Sequence, residues 1–232
     1  MKFELCAASL EAIRLARELN FDRIELCQNL EQGGITPYYG MIEYAIAYGI
    51  ETHVLIRPRP GGFSYSEDEV EVMLREIINC KNMGAKGIVI GALTEGGEID
   101  KKTLAEMMDK SKGMEVTFHR AFDDSIEWKK SMDTLIDFGV NRILSSGMAR
   151  NVDIGLPILE QMIEHSKGRI EIMTGGGINA SNIGKIKKEL LPDAIHFSGT
   201  VNYQQDEESL FSESMLKVDK ARVQRILDAA KL

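Results

Sequence analysis

Short runs rich in aliphatic and β-branched residues alternate along the whole chain with longer stretches of helical periodicity. The pattern predicts strands near positions 2–6, 23–27, 52–57, 86–91, 114–119, 142–145, 169–174 and 193–198. Strand-then-helix repetition indicates parallel strands joined by crossover helices. Eight such units close a barrel, and 232 residues suit one barrel domain. We therefore predict an α/β fold, a single-domain (β/α)8 TIM barrel over residues 1–232. An open doubly wound sheet is the structural alternative.

Helix signals agree with this reading. Helices are predicted over 9–19, 66–83, 100–110, 125–138 and 217–230. Ser66 and Ser125 are predicted N-caps, because a hydroxyl at that position accepts from the first free N–H groups of a helix. Glycines after five helical runs are predicted left-handed C-caps. They are Gly49, Gly84, Gly113, Gly139 and Gly168.

The charge and the cysteine content of the chain indicate which binding partners and which cellular location to expect. The formal net charge is −8 and there is no stripe of Lys and Arg, so neither nucleic acid nor an anionic membrane surface is an expected partner. The N-terminal residues show no signal-peptide or membrane-spanning pattern. The three cysteines are an odd number and widely spaced, which favours reduced thiols. We expect a soluble cytoplasmic protein.

Polar residues recur on one face of five predicted strands. Because helices cover the outside of such a barrel, the polar face is expected to point inward, where bulky apolar residues are usual. The predicted interior set is Glu4, Cys6, Glu25, Cys27, His53, Arg57, Thr117, His119, His196 and Ser198. Buried charges need partners, so one connected network is expected. Glu4 and His53 fit a structural ion-pair layer equally well, whereas Arg57 and His119 end their strands and favour function.

Two glycine-containing segments follow the last two strands. Gly175, Gly176 and Gly177 follow strand seven, and Ser198 and Gly199 follow strand eight. Glycine lets backbone N–H groups approach an anion, and these loops commonly bind phosphate in this fold. The alternative is that they only make tight strand exits.

Two arginines follow strand three and suit bidentate contacts to an anion. They are Arg57 and Arg59, and the alternative for this turn is a solvated loop. In the segment that begins at His119, a turn could bring Asp123 back to orient the imidazole for acid–base chemistry, with Glu25 as a second catalytic candidate. A capping role for Asp124 is equally compatible. No lysine ends a predicted strand, which disfavours a Schiff-base aldolase.

The chain resembles the copper homeostasis protein CutC family. The resemblance rests on Arg-Ile-Glu-Leu-Cys at 23–27, Gly-Gly-Ile-Thr-Pro at 33–37, Ile-Arg-Pro-Arg at 56–59, Val-Thr-Phe-His-Arg-Ala-Phe-Asp at 116–123 and Gly-Gly-Gly-Ile at 175–178. It covers nearly the whole chain. It implies a TIM barrel, a cytoplasmic location, a homo-oligomer and an association with copper tolerance.

The residues allow a separate test of the copper association. Cu(I) prefers soft thiolate ligands. Cys6 and Cys27 end adjacent strands, which lie ~4.8 Å apart, so two inward thiolates could bracket one ion. A buried cysteine also often serves only as a small apolar residue of the core, and Cys80 is predicted to do so.

Two hypotheses follow: a copper-binding protein that uses Cys6 and Cys27, or a barrel enzyme that acts on a small anionic or phosphorylated metabolite. Whether the chain is an enzyme stays open.

Overall fold

Eight parallel strands close into a barrel in a computed structural model that describes residues 1–204 and 214–231. Every neighbouring pair is parallel, including the pair formed by the first and last strands, so the predicted (β/α)8 barrel is confirmed. The strands are β1 (Lys2–Ala7), β2 (Arg23–Leu26), β3 (Thr52–Leu55), β4 (Gly87–Ile90), β5 (Glu115–Phe118), β6 (Arg142–Ser145), β7 (Glu171–Gly175) and β8 (Ala194–Phe197).

One helix follows each strand of the barrel. They are α1 (Leu10–Glu18), α2 (Tyr39–Ala47), α3 (Glu67–Met83), α4 (Lys101–Lys110), α5 (Trp128–Asp137), α6 (Val152–Ser166), α7 (Ile183–Glu189) and α8 (Lys220–Ala229). Short 3₁₀ turns occupy Leu30–Gln32 and Arg120–Asp124. Between β8 and α8 lies an antiparallel hairpin of β9 (Thr200–Gln204) and β10 (Ser214–Val218), which the sequence analysis did not predict.

Local capping explains most helix boundaries. The hydroxyl of Ser66 accepts from the N–H of Glu69, and the Glu69 carboxylate accepts from the N–H of Ser66, which forms a capping box at the start of α3. Gly84 ends the same helix at φ +90°, in the left-handed region where a side chain would be strained. The other four predicted C-capping glycines also have positive φ.

Two predicted helix boundaries are wrong. Ser125 does not cap α5, because it ends the 3₁₀ turn at Arg120–Asp124 and its hydroxyl donates to the carbonyl of Phe122. Lys217 lies in β10, and α8 begins three residues later, where the Asp219 carboxylate accepts from the N–H of Arg222. Strand β10 thus includes Lys217, at which a helix was predicted to begin, because the spacing of polar and apolar residues there fits a helix as well as a strand.

The main apolar core lies between the barrel and its helices. Ile24 and Leu26 of β2 face outward and are fully buried against the helical layer, as are their counterparts on the other strands. Each such side chain contributes about 1.5–3 kcal/mol through burial. Cys80 of α3 belongs to this core, as predicted. The outward face is therefore apolar, and the polar residues are left to the interior.

The interior charges form two separate ion-pair groups rather than one network. Arg23 and Glu4, both fully buried, form a short salt bridge in the first group. Arg142 donates to Glu115 at 2.9 Å, to Glu171 at 2.7 Å and to the Thr117 hydroxyl at 3.0 Å in the second. Among the described residues, Arg57 and His119 form no salt bridge.

The arginines of both groups were not predicted to face inward. Arg23 and Arg142 each begin a strand, at the amino end of the barrel. His53 lies beside them, fully buried, with its Nε2 atom 3.4 Å from Glu51 and 3.8 Å from Glu115. This end of the barrel is consequently closed by paired charges. Within the described ranges, no helix is long and apolar enough to cross a bilayer.

Candidate functional site

A cavity of about 780 Å³ opens at the carboxyl end of the barrel. Strand β1 and the turns after β2, β3, β5, β6, β7 and β8 surround it. Most of the predicted site residues line it: Cys6, Glu25, Cys27, Arg57, His119, Asp123, Gly176, Gly177, Ser198 and Gly199. Two do not line it: Gly175 is the last residue of β7, and Arg59 points along its own loop.

The two predicted metal-ligating cysteines meet at the floor of this cavity. Their Sγ atoms lie 3.7 Å apart and are not joined in a disulfide. Both residues are buried and pack with Leu55 and Val89 in the barrel interior. The parallel register pairs Cys6 with Glu25, and Cys27 follows the last residue of β2, two positions further along the chain. The predicted convergence of the two thiols is therefore present.

His196 brings a nitrogen to the same place. Its Nε2 atom lies 3.3 Å from Oε2 of Glu25, and ligand-type atoms of Cys6, Glu25 and His196 all lie within 4.8 Å of one another. Its Nδ1 atom lies 2.7 Å from Oε1 of Glu4. Sequence alternation placed His196 in the interior but did not single it out as a site residue.

The acid–base groups at this floor are strongly perturbed. Burial alone would raise the pKa of Glu4, but its hydrogen bond to His196 and the charges of His196 and Arg23 hold that pKa well below its ordinary value. For His196, burial is outweighed by contacts with Cys6 and Glu4 and by the charge of Glu25, so its pKa is well above the ordinary value. Glu4 and His196 are therefore an ion pair at neutral pH.

Two neighbouring groups are shifted towards their neutral forms. The hydrogen bond with Cys27 and burial raise the pKa of the Cys6 thiol. Burial also raises the pKa of Glu25, although the charge of His196 opposes it. Glu25 is thus the carboxyl group of the floor that is most readily protonated, as expected of a general acid.

His119 lines the cavity as a neutral ring. Its Nδ1 atom accepts from the N–H of Ala121 at 3.0 Å, so the ring proton is on Nε2. Burial and the charge of Arg57 lower its pKa to about 3. His119 therefore adds no positive charge to the cavity at neutral pH. A Cβ atom on Gly91 would lie 2.3 Å from the ring, so the glycine that follows β4 makes the room for this imidazole.

Asp123 does not orient His119. Its carboxylate accepts from the Ser145 hydroxyl at 2.5 Å, from the N–H of Ser146 at 3.0 Å and from Nε of Arg120 at 2.8 Å. The predicted pairing fails because the 3₁₀ turn after β5 directs this side chain towards β6. Asp124 ends that turn and caps no helix; the residue at the N-cap of α5 is Glu127.

Arg57 serves the loops rather than an open anion site. Its guanidinium donates to the carbonyls of Gly34 and Gly61, both at 2.7 Å, and to that of Gln32 at 3.3 Å. Arg59 is paired with Glu69 and donates to the carbonyls of Gly62 and Ser64. The prediction that these two arginines bind an anion is not supported, because backbone oxygens already occupy most of their donors.

Arg120 is a cation of the cavity that the sequence analysis did not single out. Its Nε donates to Asp123, and its Nη2 donates to the Ser146 hydroxyl at 2.6 Å and to the carbonyl of Ala149 at 3.1 Å. A Cβ atom on Gly176 would lie 3.2 Å from its Nη1. The guanidinium therefore lies beside the glycine loop after β7. Its position directly after His119 in the motif was the available signal.

Together these features define a (β/α)8 barrel with a thiol, imidazole and carboxyl cluster on the floor of its open end. Residues 1–201 match the model of the CutC family. A CutC family protein of Glaesserella parasuis is 40% identical over 233 residues, covering 100% of this chain and 96% of the relative. One of Bacteroides thetaiotaomicron is 41% identical over 207 residues, covering 88% and 83%. The chain belongs to the CutC family.

Solved structures agree with this assignment. The crystal structure of a proposed copper homeostasis protein CutC from Streptococcus agalactiae superimposes with a TM-score of 0.79 at 34% identity, covering 84% of this chain and 98% of that one. N-(5'-phosphoribosyl)anthranilate isomerase from Pyrococcus furiosus reaches a TM-score of 0.58 at 15% identity, covering 100% and 98%. The second likeness shows the barrel fold alone.

Proposed function

We propose that this protein takes part in copper homeostasis by binding Cu(I) between Cys6 and Cys27. The observation that carries the proposal is the 3.7 Å separation of two buried, reduced sulfur atoms. Thiolates are the ligands that Cu(I) prefers. Metal–thiolate bonds of about 2.3 Å, as in zinc sites, would span ~4.6 Å in line, so the shorter separation suits a bent pair with a third ligand.

His196 is the third ligand in this proposal. Its Nε2 faces Cys6 and Glu25, and its Nδ1 is held by the buried Glu4 carboxylate. A carboxylate behind an imidazole is the usual outer partner of a metal-binding histidine, because it fixes the ring and increases its basicity. The family name and the S. agalactiae structure support a copper role.

Copper binding at this floor is expected to release protons. The raised pKa values of Cys6 and His196 keep both groups protonated at neutral pH, and a metal ion binds only their deprotonated forms. The apparent affinity is therefore expected to rise with pH over the range in which these groups would otherwise remain protonated.

The test is a titration of reduced protein with Cu(I) against a competing chelator. Cys6→Ser and Cys27→Ser are each expected to weaken binding strongly. Cys80→Ser is the matched control, since Cys80 is a buried thiol in the helical core. If both floor variants retain wild-type affinity, copper is not bound between Cys6 and Cys27.

A second candidate is an enzyme that acts on a small anionic metabolite, and the raised pKa of Glu25 inside the cavity favours it. Glu25 would donate a proton to the substrate, and neutral His119 would donate a hydrogen bond to it. Asp123 would position Arg120. Incubation with a metabolite extract, followed by mass spectrometry, tests this candidate. A compound consumed by wild type but not by Glu25→Gln would support it; equal consumption by both would remove Glu25 from the mechanism.

We also propose that the protein works in the cytoplasm as a homo-oligomer. Three free cysteines suit a reducing compartment. Exposed large apolar side chains, which include Ile126, Ile154 and Leu191, offer surface for self-association. Light scattering after gel filtration would contradict the oligomer if it gave the mass of one chain at all concentrations.

A further inference from the structure

We propose that the rim of the cavity, between Arg120 and the glycine loops after β7 and β8, binds the phosphate group of a small metabolite. This inference stands apart from copper binding at the floor. It supplies a binding site for the enzyme candidate above, but it does not require catalysis.

Arg120 is the anchor of this anion site. Asp123, Ser146 and the carbonyl of Ala149 engage its Nε and Nη2 atoms. Its Nη1 atom donates to no residue in the described part of the chain, and it faces the Gly176 backbone. The guanidinium is therefore held in one orientation with an unused edge. An arginine fixed in this way binds a phosphate without first losing side-chain freedom.

The adjoining backbone supplies further donors. Gly176 and Gly177 have φ values of +95° and +87°, and Gly199 has +61°. Their N–H groups donate to no carbonyl or side chain among the described residues. Successive free N–H groups with left-handed backbone form a concave surface that accepts an anion. A Cβ atom at Gly176 would crowd the Arg120 guanidinium, so glycine keeps the two sets of donors close.

His119 gives an independent sign of a missing acceptor. Its side chain is buried, it lines the cavity, and its protonated Nε2 has no hydrogen-bond partner among the residues described. A buried donor left unpaired costs about 1–3 kcal/mol. Neutral and donating, His119 suits a ligand oxygen rather than a metal ion, because its acceptor Nδ1 is already engaged by Ala121.

The charge of the rim favours an anion in a chain of net charge −8. Arg57, Arg120, Arg150 and Arg222 all line the cavity. The lining carboxyl groups are Glu25, Asp123 and Asp124, and Asp123 is already paired with Arg120. Concentrated positive charge in a concave site attracts small anions.

The size of the cavity points to a phosphate ester rather than to free phosphate. At about 780 Å³ the cavity lies within the range of pockets that enclose whole small molecules. With a phosphate at Arg120, the remainder of the ligand would extend inward towards His119 and Glu25.

Thermal melts with a metal chelator present test the proposal at constant ionic strength. The probes are ribose 5-phosphate, inorganic phosphate and ribose. We expect ribose 5-phosphate to raise the Tm of wild type more than inorganic phosphate does, and ribose to have no effect. Arg120→Met is expected to weaken ribose 5-phosphate binding at least tenfold. Arg14→Met, which removes an exposed arginine of α1, is expected to bind as wild type does.

Further variants keep the test decisive. Arg120→Lys retains the charge and is expected to bind with intermediate affinity, even if Arg120→Met folds poorly. The metal chelator keeps copper off the floor, so the response reports this site apart from copper binding. Equal responses in wild type, Arg120→Met and Arg120→Lys would overturn the proposal. So would no response of wild type to ribose 5-phosphate, or equal responses to the ester and to inorganic phosphate.

Discussion

The Nδ1 atom of His196 lies 2.7 Å from Oε1 of Glu4, a carboxylate with no solvent exposure. This contact joins β8 to β1 and directs the opposite nitrogen of the imidazole towards Cys6 and Glu25. Glu4 therefore orients a residue of the cavity but does not line the cavity itself. The same carboxylate also neutralises Arg23, so it supports both the ion-pair group below it and the cluster above it.

Glu4→Gln is expected to lower Cu(I) affinity about 10- to 100-fold, the usual effect of losing the outer partner of a metal-binding histidine. Chelator competition measures the change. Glu51→Gln is the matched control, because Glu51 lies beside His53 at the amino end of the barrel. Equal affinities of the two variants would contradict a positioning role for Glu4. Circular dichroism checks that Glu4→Gln remains folded with Arg23 unpaired.

His119 is expected to make the protein sensitive to acid. Its pKa is about 3 in the folded chain against 6.5 as the ordinary value, so below pH 6.5 the unfolded chain binds a proton that the folded chain does not. The contribution of His119 to the free energy of unfolding is thus fully present above pH 6.5. It is lost as the pH falls towards 3, by up to about 1.4 kcal/mol per pH unit.

Urea unfolding at a series of pH values measures this effect. Wild type is expected to lose free energy of unfolding more steeply than His119→Gln as the solution is acidified. The same substitution at His165, on α6 outside the barrel, controls for the change of residue type. Parallel pH profiles for wild type and His119→Gln would contradict a buried neutral imidazole.

Arg57→Met is expected to destabilise the protein by about 2–4 kcal/mol, because the carbonyls of Gly34 and Gly61 lose a charged donor in a largely buried setting. Arg59→Met, in the same loop, is expected to cost about 1 kcal/mol or less, since its ion pair with Glu69 is partly exposed. Urea unfolding distinguishes the two. A larger loss for Arg59→Met would show that the loops do not depend on Arg57.

Gly155→Ala is expected to destabilise the protein by about 1–3 kcal/mol, the range of overpacked cores. A Cβ atom there would lie 1.8 Å from the carbonyl oxygen of Ser146, where α6 packs on the loop after β6. Gly184→Ala in α7 is the opposite case: its nearest neighbour would be 3.4 Å away, and alanine favours the helix by roughly 0.5–1 kcal/mol. Thermal unfolding would contradict this account if both changes had the same sign.

The barrel and its polar interior could be predicted because both follow from alternation along single strands. Successive side chains of a strand point to opposite faces. Because Ile24 and Leu26 face outward, Glu25 between them faces inward, and the same rule applies to Cys27 and His119. The hairpin β9 and β10 was missed because strand and helix periodicities are hard to separate over so few residues. Helix propensity in the following segment then extended the predicted α8 backward over Lys217.

Contacts between strands could not be predicted in the same way. Which side chains meet across a barrel depends on its stagger, which no single strand encodes. Arg23, which was not predicted to face inward, therefore pairs with Glu4, and Asp123 faces Ser145 rather than His119. Arg120 was overlooked because a residue in a turn has no strand face to indicate its direction.

The seam between β1 and β8 joins residues 192 positions apart, since Glu4 holds His196 across it. Contacts of such long sequence separation form late, because most of the chain must be arranged before they can close. A ribosome exposes Cys6 and Cys27 long before it releases His196. A nascent chain could thus present two thiols but not the complete three-ligand site proposed above. Full metal affinity would then require the pairing of β1 with β8 that closes the barrel. A bound ion would stabilise this last pair of strands to form.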